Sequence, residues 1–179
     1  METDLGCLRC RLSKGRTQVV PPDGDLFSPV CFVGEGPGEK EDMLGRPFVG
    51  RAGQMLSRLM MEEGLQRARV MITNAVKCRP PGNRAPRRDE MAACFSYLEQ
   101  ELEGRRLVVA MGRSACLDLL GRDVRLADEA NVVRHVRVGC EEMDLLPAYH
   151  PSACLFNLRA RESLAGSIRI AKKYVDGEV

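Results

Sequence analysis

Residues 30–38 read VCFVGEGPG, a short apolar run that leads directly into a glycine-rich loop. The apolar run predicts a buried strand, and Gly34 predicts its end. Similar apolar runs lie at 70–76, 107–111 and 145–148. Because segments with helical spacing separate these runs, we expect a three-layer α/β/α fold around a mainly parallel, four-stranded central sheet.

Helical periodicity marks the segments that are expected to cover this sheet. Apolar residues recur at helical spacing within 54–63, and further helices are predicted at 88–103, 113–121 and 158–174. An alternating pattern at 131–138 indicates one more strand. Since ligands of such folds bind at the carboxyl ends of parallel strands, the loops that follow the strands are the predicted site.

Length and composition are those of an ordinary globular chain. The 179 residues have a net charge of +2 and are 44% hydrophobic, which predicts one domain, residues 1–179, with a substantial core. The sequence has no run of about 18 apolar residues that would predict a membrane span. The acidic N-terminus lacks an apolar signal segment, and we therefore expect a cytoplasmic protein.

Basic residues gather in three segments, at 9–16, 77–88 and 159–173. The central segment carries five positive charges and no acid. Each cluster is compatible with an ordinary solvated face. Because the clusters flank a centre rich in glycine and proline, we favour the hypothesis of a groove for a polyanion such as DNA.

Cysteine spacing indicates a metal centre. Cys7 and Cys10 form a C-x2-C pair, and Cys78 and Cys94 stand much later in the chain. Such a pair places two thiolates close enough to bind one metal centre. Without a signal segment, metal ligation or burial is favoured over disulfides for the eight cysteines. A centre that joins the N-terminus to the basic segment at 77–88 indicates a nucleic-acid enzyme.

The glycine-rich loop does not match the common nucleotide-binding motifs. Its glycines spell G-x-G-x-G, whereas a dinucleotide fingerprint requires G-x-G-x-x-G. The second strand ends in Asn74 and not in an acid suited to a ribose, and the sequence contains no Walker loop. A loop of this kind still brings backbone N–H groups close to a ligand.

Four segments match the sequence pattern of a known protein family more closely. They read GEGPGEKED at 34–42, GRPFVGRAG at 45–53, TNAVKCRPP at 73–81 and HPS at 150–152. Together with the four cysteines, these segments resemble the family 4 uracil-DNA glycosylases, the iron–sulfur members of the uracil-DNA glycosylase superfamily. The resemblance extends from the first cysteine to beyond the HPS segment, in the family's order.

The resemblance implies a structural [4Fe–4S] cluster, and a zinc site is the alternative. The implied ligands are Cys7, Cys10, Cys78 and Cys94. The remaining cysteines are interpreted as packing residues, namely Cys31, Cys116, Cys140 and Cys154.

The resemblance also implies residues for an extruded uracil, since a glycosylase must take its base out of the duplex. Phe48 matches the aromatic residue that stacks on the base. Asn74 matches an amide that donates to uracil O4 and accepts from N3–H. Glu41 matches a carboxylate beside the C5 edge, where a thymine methyl would collide. His150 matches the catalytic histidine that lies against O2 and stabilises the charge that develops there.

The attacking water needs a residue that holds it. Glu35 is the first candidate to position or activate this water, partly through its backbone. Gly36 is predicted to bind substrate beside it, and Asn83 matches a family position that assists.

Other residues are predicted to contact the nucleic acid. The predicted DNA-binding residues are Arg51, Ser114, Ser152 and Leu155. Leu155 is expected to act as a wedge in the vacated base stack, and Phe156 is the alternative wedge.

The sequence therefore predicts a monomeric, monofunctional uracil-DNA glycosylase. It would hydrolyse the N-glycosidic bond of uracil in single- or double-stranded DNA and leave an abasic site, as in base excision repair. A related group forms a covalent histidine adduct, which is not expected here because 77–88 contains no histidine. The alternatives are a non-catalytic DNA-binding module of the same fold and a zinc-stabilised nucleotide-binding or regulatory protein.

Overall fold

The computed structural model describes residues 3–179 and contains a six-stranded sheet with helices packed on both faces. The strands are β1 (Asp23–Gly24), β2 (Val30–Gly34), β3 (Met71–Asn74), β4 (Leu107–Met111), β5 (Arg134–Val138) and β6 (Glu141–Ala148). The helices are α1 (Glu39–Leu44), α2 (Arg51–Glu62), α3 (Arg88–Leu102), α4 (Arg113–Leu120), α5 (Leu126–Glu129) and α6 (Leu158–Asp176). Short 3-10 turns occupy Arg11–Lys14, Arg67–Arg69, Pro81–Asn83 and Ala153–Leu155. Within the described residues, no helix combines the length and apolar character needed to cross a membrane.

The sheet has the strand order β1-β3-β2-β4-β6-β5. Its four central strands run parallel, and the edge strands β1 and β5 pair antiparallel with their neighbours. The predicted α/β class and its four parallel strands are confirmed. The predicted strand number is wrong, because the sheet is mixed and has six strands. β5 lies within the alternating segment at 131–138, whereas the two residues of β1 are too few to give a periodic signal.

The central strands bury both of their faces, which places an apolar layer on either side of the sheet. On one side Phe32 and Ile72 pack with residues of α2 and α6. On the other side Cys31 and Val33 pack with residues of α3 and α4. Such continuous burial is typical of parallel strands that are covered on both faces.

Three of the four cysteines interpreted as packing residues are buried. Cys31, Cys116 and Cys154 lie in the core, so the interpretation is confirmed for them. Cys140 is exposed between β5 and β6, and the interpretation is wrong there. It occupies the turn of the hairpin at the edge of the sheet.

The carboxyl ends of the parallel strands bring the predicted loops to one edge of the sheet. Gly34 at the end of β2 pairs in register with Asn74 at the end of β3. The chain passes from β2 to β3 on one side and then crosses to β4 on the other side of β2. Loops that leave β2 and β4 in opposite directions create a crevice, which is the usual ligand site of such sheets.

Lys77 lies inside the protein, beneath this edge. Its side chain is buried, and Nζ donates to Thr73 Oγ1 at 2.8 Å, to the Asn74 carbonyl at 2.6 Å and to Glu101 Oε2 at 2.6 Å. The interpretation of 77–88 as a DNA-facing cluster is therefore wrong for Lys77. Arg84 in the same segment also pairs with an acid, the buried Glu90, at 2.6 Å. The Lys77 network joins the end of β3 to α3.

Replacing Lys77 with Met is expected to lower the free energy of unfolding by about 3–5 kcal/mol, since it leaves the buried Glu101 carboxylate uncompensated. Arg58→Ala is the control, because Arg58 pairs with Glu62 on the surface and such pairs contribute roughly 0–1 kcal/mol. Chemical denaturation measures both changes. Equal losses for the two variants would contradict a stabilising role for the buried pair.

Candidate active site

A cavity of about 410 Å³ opens at the carboxyl edge of the sheet. Its walls come from the loops that follow β2, β3 and β6 and from the start of α2. The predicted site residues that line it are Glu35, Gly36, Glu41, Phe48, Arg51, Asn74, Asn83, His150 and Ser152. Ser114 and Leu155 lie outside this lining. The structure therefore brings together residues that are far apart in the sequence.

Phe48 and Asn74 meet above Gly34. A Cβ on Gly34 would lie 2.3 Å from Phe48 Cζ and 2.5 Å from Asn74 Oδ1, so a larger residue would displace the ring or the amide. The Phe48 ring is buried, and its centroid lies 5.7 Å from that of His150. An aromatic face, an amide and an imidazole thus line one cavity, as a planar heterocyclic ligand would require.

Asn74 carries an acceptor that has no partner. The residue is only 3% exposed, and Oδ1 accepts no hydrogen bond from any described residue. Its backbone carbonyl is fixed by Lys77. A buried oxygen without a partner is costly, and such atoms are rare in native proteins. A ligand that donates a hydrogen bond would satisfy it.

His150 has a defined tautomer. The backbone N–H of Ser152 donates to His150 Nδ1 at 3.2 Å, and the Ser152 hydroxyl lies 2.8 Å from the same nitrogen. Nδ1 is therefore an acceptor, and the proton of the neutral ring is on Nε2. Burial lowers the pKa of His150 to about 4, against the opposing attraction of Glu41. The ring is neutral at pH 7 and can donate through Nε2.

Glu41 bonds to the backbone of the loop that carries Phe48. Its Oε1 accepts from Val49 N–H at 2.9 Å and from Gly50 N–H at 2.7 Å. Gly50 is the N-cap of α2, so the carboxylate also lies at the positive end of that helix. Glu41 lines the cavity, and its contact with a uracil C5 edge stays a prediction.

Glu35 is held from across the crevice. The hydroxyl of Ser114, in the first turn of α4, donates to Glu35 Oε2. The structure thus places Ser114 behind a cavity residue, and its predicted contact with DNA stays untested. Asn83 is exposed, with φ of 56°, and its Oδ1 accepts from Arg79 Nε at 2.8 Å.

The predicted DNA contacts lie at the rim or close to it. Arg51 is exposed at the start of α2, and Ser152 is exposed beside His150. Leu155 is half-buried in the 3-10 turn that follows, whereas Phe156 is 85% exposed. Exposure alone favours Phe156 over Leu155 as an inserting side chain.

Comparisons with known proteins agree with this geometry. The model of the uracil DNA glycosylase superfamily matches residues 21–167. The type-4 uracil-DNA glycosylase of Thermotoga maritima is 38% identical over 96% of this chain and 91% of its own length. The type-4 enzymes of Sulfurisphaera tokodaii and Pyrobaculum aerophilum are 38% and 42% identical, over 91% and 83% of this chain and 77% and 79% of their own lengths. The chain belongs to the type-4 uracil-DNA glycosylases.

In this type-4 uracil-DNA glycosylase, four free cysteines line a second, apolar pocket. They are Cys7, Cys10, Cys78 and Cys94, and Leu12, Val19 and Tyr97 are among their neighbours. Within residues 3–179, no group of three or more His, Cys, Asp or Glu side chains is arranged to hold a single metal ion. Four thiolates around one pocket are a donor set that iron–sulfur clusters take, so the chemistry of these residues fits such a cluster.

Two residues that support the site were not among the predicted site residues, namely Arg67 and Lys77. Arg67 bonds the carbonyls of Pro47 and Phe48, and no pattern relates position 67 to that loop. Lys77 bonds the Asn74 carbonyl. Its position between Asn74 and Cys78 was a usable signal, because a residue flanked by a buried strand end and a predicted ligand has little access to solvent.

The His150 imidazole is expected to titrate near pH 4 in the folded protein, well below its ordinary 6.5. NMR of the ring protons measures this pKa. The substitution His135→Gln leaves His150 as the single histidine, so that the signal is assigned without ambiguity. The pKa of His150 is lower in the folded protein than in the unfolded chain, so the unfolded chain binds the proton first as the pH falls. The contribution of the neutral ring to the free energy of unfolding is therefore complete above pH 6.5 and declines as the pH falls towards 4. A midpoint near 6.5 in the folded protein would contradict the expectation.

Proposed function

We propose that this chain binds an extruded uracil in the 410 Å³ cavity, hydrolyses its N-glycosidic bond and leaves an abasic site in DNA. The observation that carries the proposal is the unpaired Oδ1 of Asn74 beside the Phe48 ring. The relatives named type-4 uracil-DNA glycosylases support the same activity.

Asn74 would select uracil through hydrogen bonds of defined direction. Its Oδ1 accepts from uracil N3–H, and its Nδ2 donates to O4. Cytosine presents an amino group and a bare ring nitrogen at these places, so both contacts would be repulsive. A buried amide left unpaired in this way rejects the wrong base far more strongly than pocket shape alone.

Phe48 would support the base from one face. An aromatic ring stacks on any base, and the contribution of such stacking is about 1–3 kcal/mol per base. The base must leave the helix before it reaches the ring, which costs a few kcal/mol of unstacking. That cost is smaller in single strands, and in a duplex it remains a few kcal/mol. Both single-stranded and double-stranded DNA are therefore proposed substrates.

His150 would stabilise the leaving group. As the bond between C1′ and N1 breaks, its electron pair passes to uracil, and negative charge develops on O2. The Nε2–H of a neutral His150 can donate to that oxygen. The low pKa of His150 keeps the ring neutral at physiological pH, so that donation requires no buried cation.

Glu35 would position the water that attacks C1′. Its Oε2 is engaged by Ser114, which leaves Oε1 for the water. In this hydrolysis the water oxygen bonds to C1′ as the C1′–N1 bond breaks. Uracil departs with the electron pair of that bond, and the water proton passes to the Glu35 carboxylate. Asn83 at the cavity wall would assist.

The rim would hold the DNA strand. Arg51, which is exposed at the cavity wall, would contact a phosphate, and Ser152 would contact the same strand beside His150. Leu155 or Phe156 would fill the vacated stack. We propose that the enzyme works as a monomer in the cytoplasm, in base excision repair.

A structural [4Fe–4S] cluster is the proposed occupant of the cysteine pocket. Cys7 and Cys10 would bind it from the N-terminal segment, Cys78 from the loop after β3 and Cys94 from α3. When bound, the cluster supplies a cross-link between these segments and takes no part in bond cleavage. Cys94 lies two helical turns before Glu101, so the cluster and the Lys77 network hold the same helix.

Wild-type protein is expected to release uracil from a uracil-containing oligonucleotide, and Asn74→Ala to lower the single-turnover rate by about 10²–10³-fold. Alkali cleavage of the abasic product measures the rate. Gln100→Ala is the control, since it removes a half-buried amide on α3, away from the cavity. Wild-type protein that binds DNA and releases no base would favour a non-catalytic module.

Purified protein is expected to be brown, with about four iron and four sulfide ions per chain. Cys94→Ser should lose iron and visible absorption, whereas Cys140→Ser should keep both, because Cys140 is an exposed cysteine outside the pocket. Elemental analysis and absorption spectroscopy measure the outcome. A colourless protein with one zinc per chain would contradict the cluster.

A further inference from the structure

The loop that carries Phe48 is held from behind by Arg67. This residue lies in the 3-10 turn that precedes β3, and its Nη2 donates to the Pro47 carbonyl at 2.6 Å. Its Nη1 donates to the Phe48 carbonyl at 3.0 Å. One planar guanidinium thus fixes two consecutive carbonyl groups, a geometry that suits its forked array of donors.

Glu41 fixes the next two backbone groups of the same loop. Its Oε1 accepts from Val49 N–H and Gly50 N–H. Three consecutive peptide groups around Phe48 are therefore bonded to two side chains of opposite charge. Glu41 acts from the cavity side and Arg67 from the side of the edge strand β1.

Phe48 needs such support because its backbone is strained. Its φ of 53° lies in the left-handed region, which is a genuine outlier for a bulky residue. A Cβ on Gly53 would lie 1.9 Å from the Phe48 carbonyl oxygen, so helix α2 packs directly against this backbone. Strained conformations of this kind persist only where the surroundings over-determine them, and they cluster at binding sites.

Arg67 is itself anchored. Its side chain is 21% exposed, and Nη2 lies 3.4 Å from Asp23 Oδ2 on β1. Asp23 also pairs with Arg46 at 3.1 Å. The edge strand, which has only two residues, thereby contributes a carboxylate that holds the guanidinium in place.

We propose that Arg67 is a positioning residue for uracil, which sets the Phe48 ring at the angle that stacks on the extruded base. The inference rests on the proposed glycosylase activity. Arg67 does not line the cavity, so it acts through the backbone of Phe48. A lysine cannot replace it fully, because a single ammonium group does not reproduce the planar fork.

The test compares Arg67→Met, Arg67→Lys and wild type, with Arg69→Met as the matched control. Arg69 belongs to the same 3-10 turn and pairs with Asp176 at 2.8 Å, away from Phe48. Three quantities are measured for each: the single-turnover excision rate per active molecule, the inhibition constant of free uracil, and the dissociation constant for an oligonucleotide with an abasic site. Thermal melting reports the folded fraction.

Arg67→Met is expected to lower the excision rate by about 10- to 100-fold and to raise the uracil inhibition constant by a similar factor, since a displacement of about 1 Å at a site can cost 10²-fold. Affinity for the abasic oligonucleotide should stay within about twofold of wild type. Arg67→Lys should lie between the two. Arg69→Met should match wild type in every quantity except melting.

A purely structural role for Arg67 would lower melting and leave the uracil inhibition constant of folded molecules unchanged, which would overturn the inference. If Arg67→Met does not fold, Arg67→Lys decides the matter, because a wild-type uracil inhibition constant in that variant would also overturn it. Failure of wild type to release uracil would instead defeat the proposed function. The two failures are thus distinguishable.

Discussion

The cavity depends on the close approach of Phe48 and Asn74 over Gly34. The ring and the amide oxygen occupy the space that any side chain at position 34 would fill. Gly34 and Asn74 are paired residues in adjacent parallel strands, so the hydrogen bonds of the sheet determine their separation. A glycine at the end of β2 is therefore a requirement of the site as well as a stop signal for the strand.

Two features that are unfavourable by themselves lie next to Gly34. The Oδ1 of Asn74 is buried without a partner, and Phe48 holds a left-handed backbone conformation. Each costs free energy in the unliganded protein, on the order of 1–3 kcal/mol. The buried pair of Lys77 and Glu101 and the two-sided hold on residues 47–50 give the surroundings enough rigidity to maintain them. A base that donates to Asn74 would recover part of that cost on binding.

The sequence predicted those features that depend on local pattern or on a shared motif. Apolar runs predicted the four parallel strands, and the motif segments predicted a cavity with Phe48, Asn74 and His150 together. It did not predict contacts made by long side chains between distant segments. Lys77 reads as one charge of a basic stretch, yet its tertiary neighbours bury it. Ser114 was predicted as a DNA contact, and the crossing of the chain at β2 is what brings it to Glu35.

The register between β2 and β3 places Asn74 at the end of a fully buried strand. Asn74 is the last residue of β3 and pairs in register with Gly34 of the buried strand β2, and buried backbone of this kind opens only in large-scale unfolding. In the proposed function, discrimination against cytosine by Asn74 would therefore not depend on the closing of a mobile lid. Residues of the exposed rim could then be substituted while the Asn74 amide stays at a constant depth and angle.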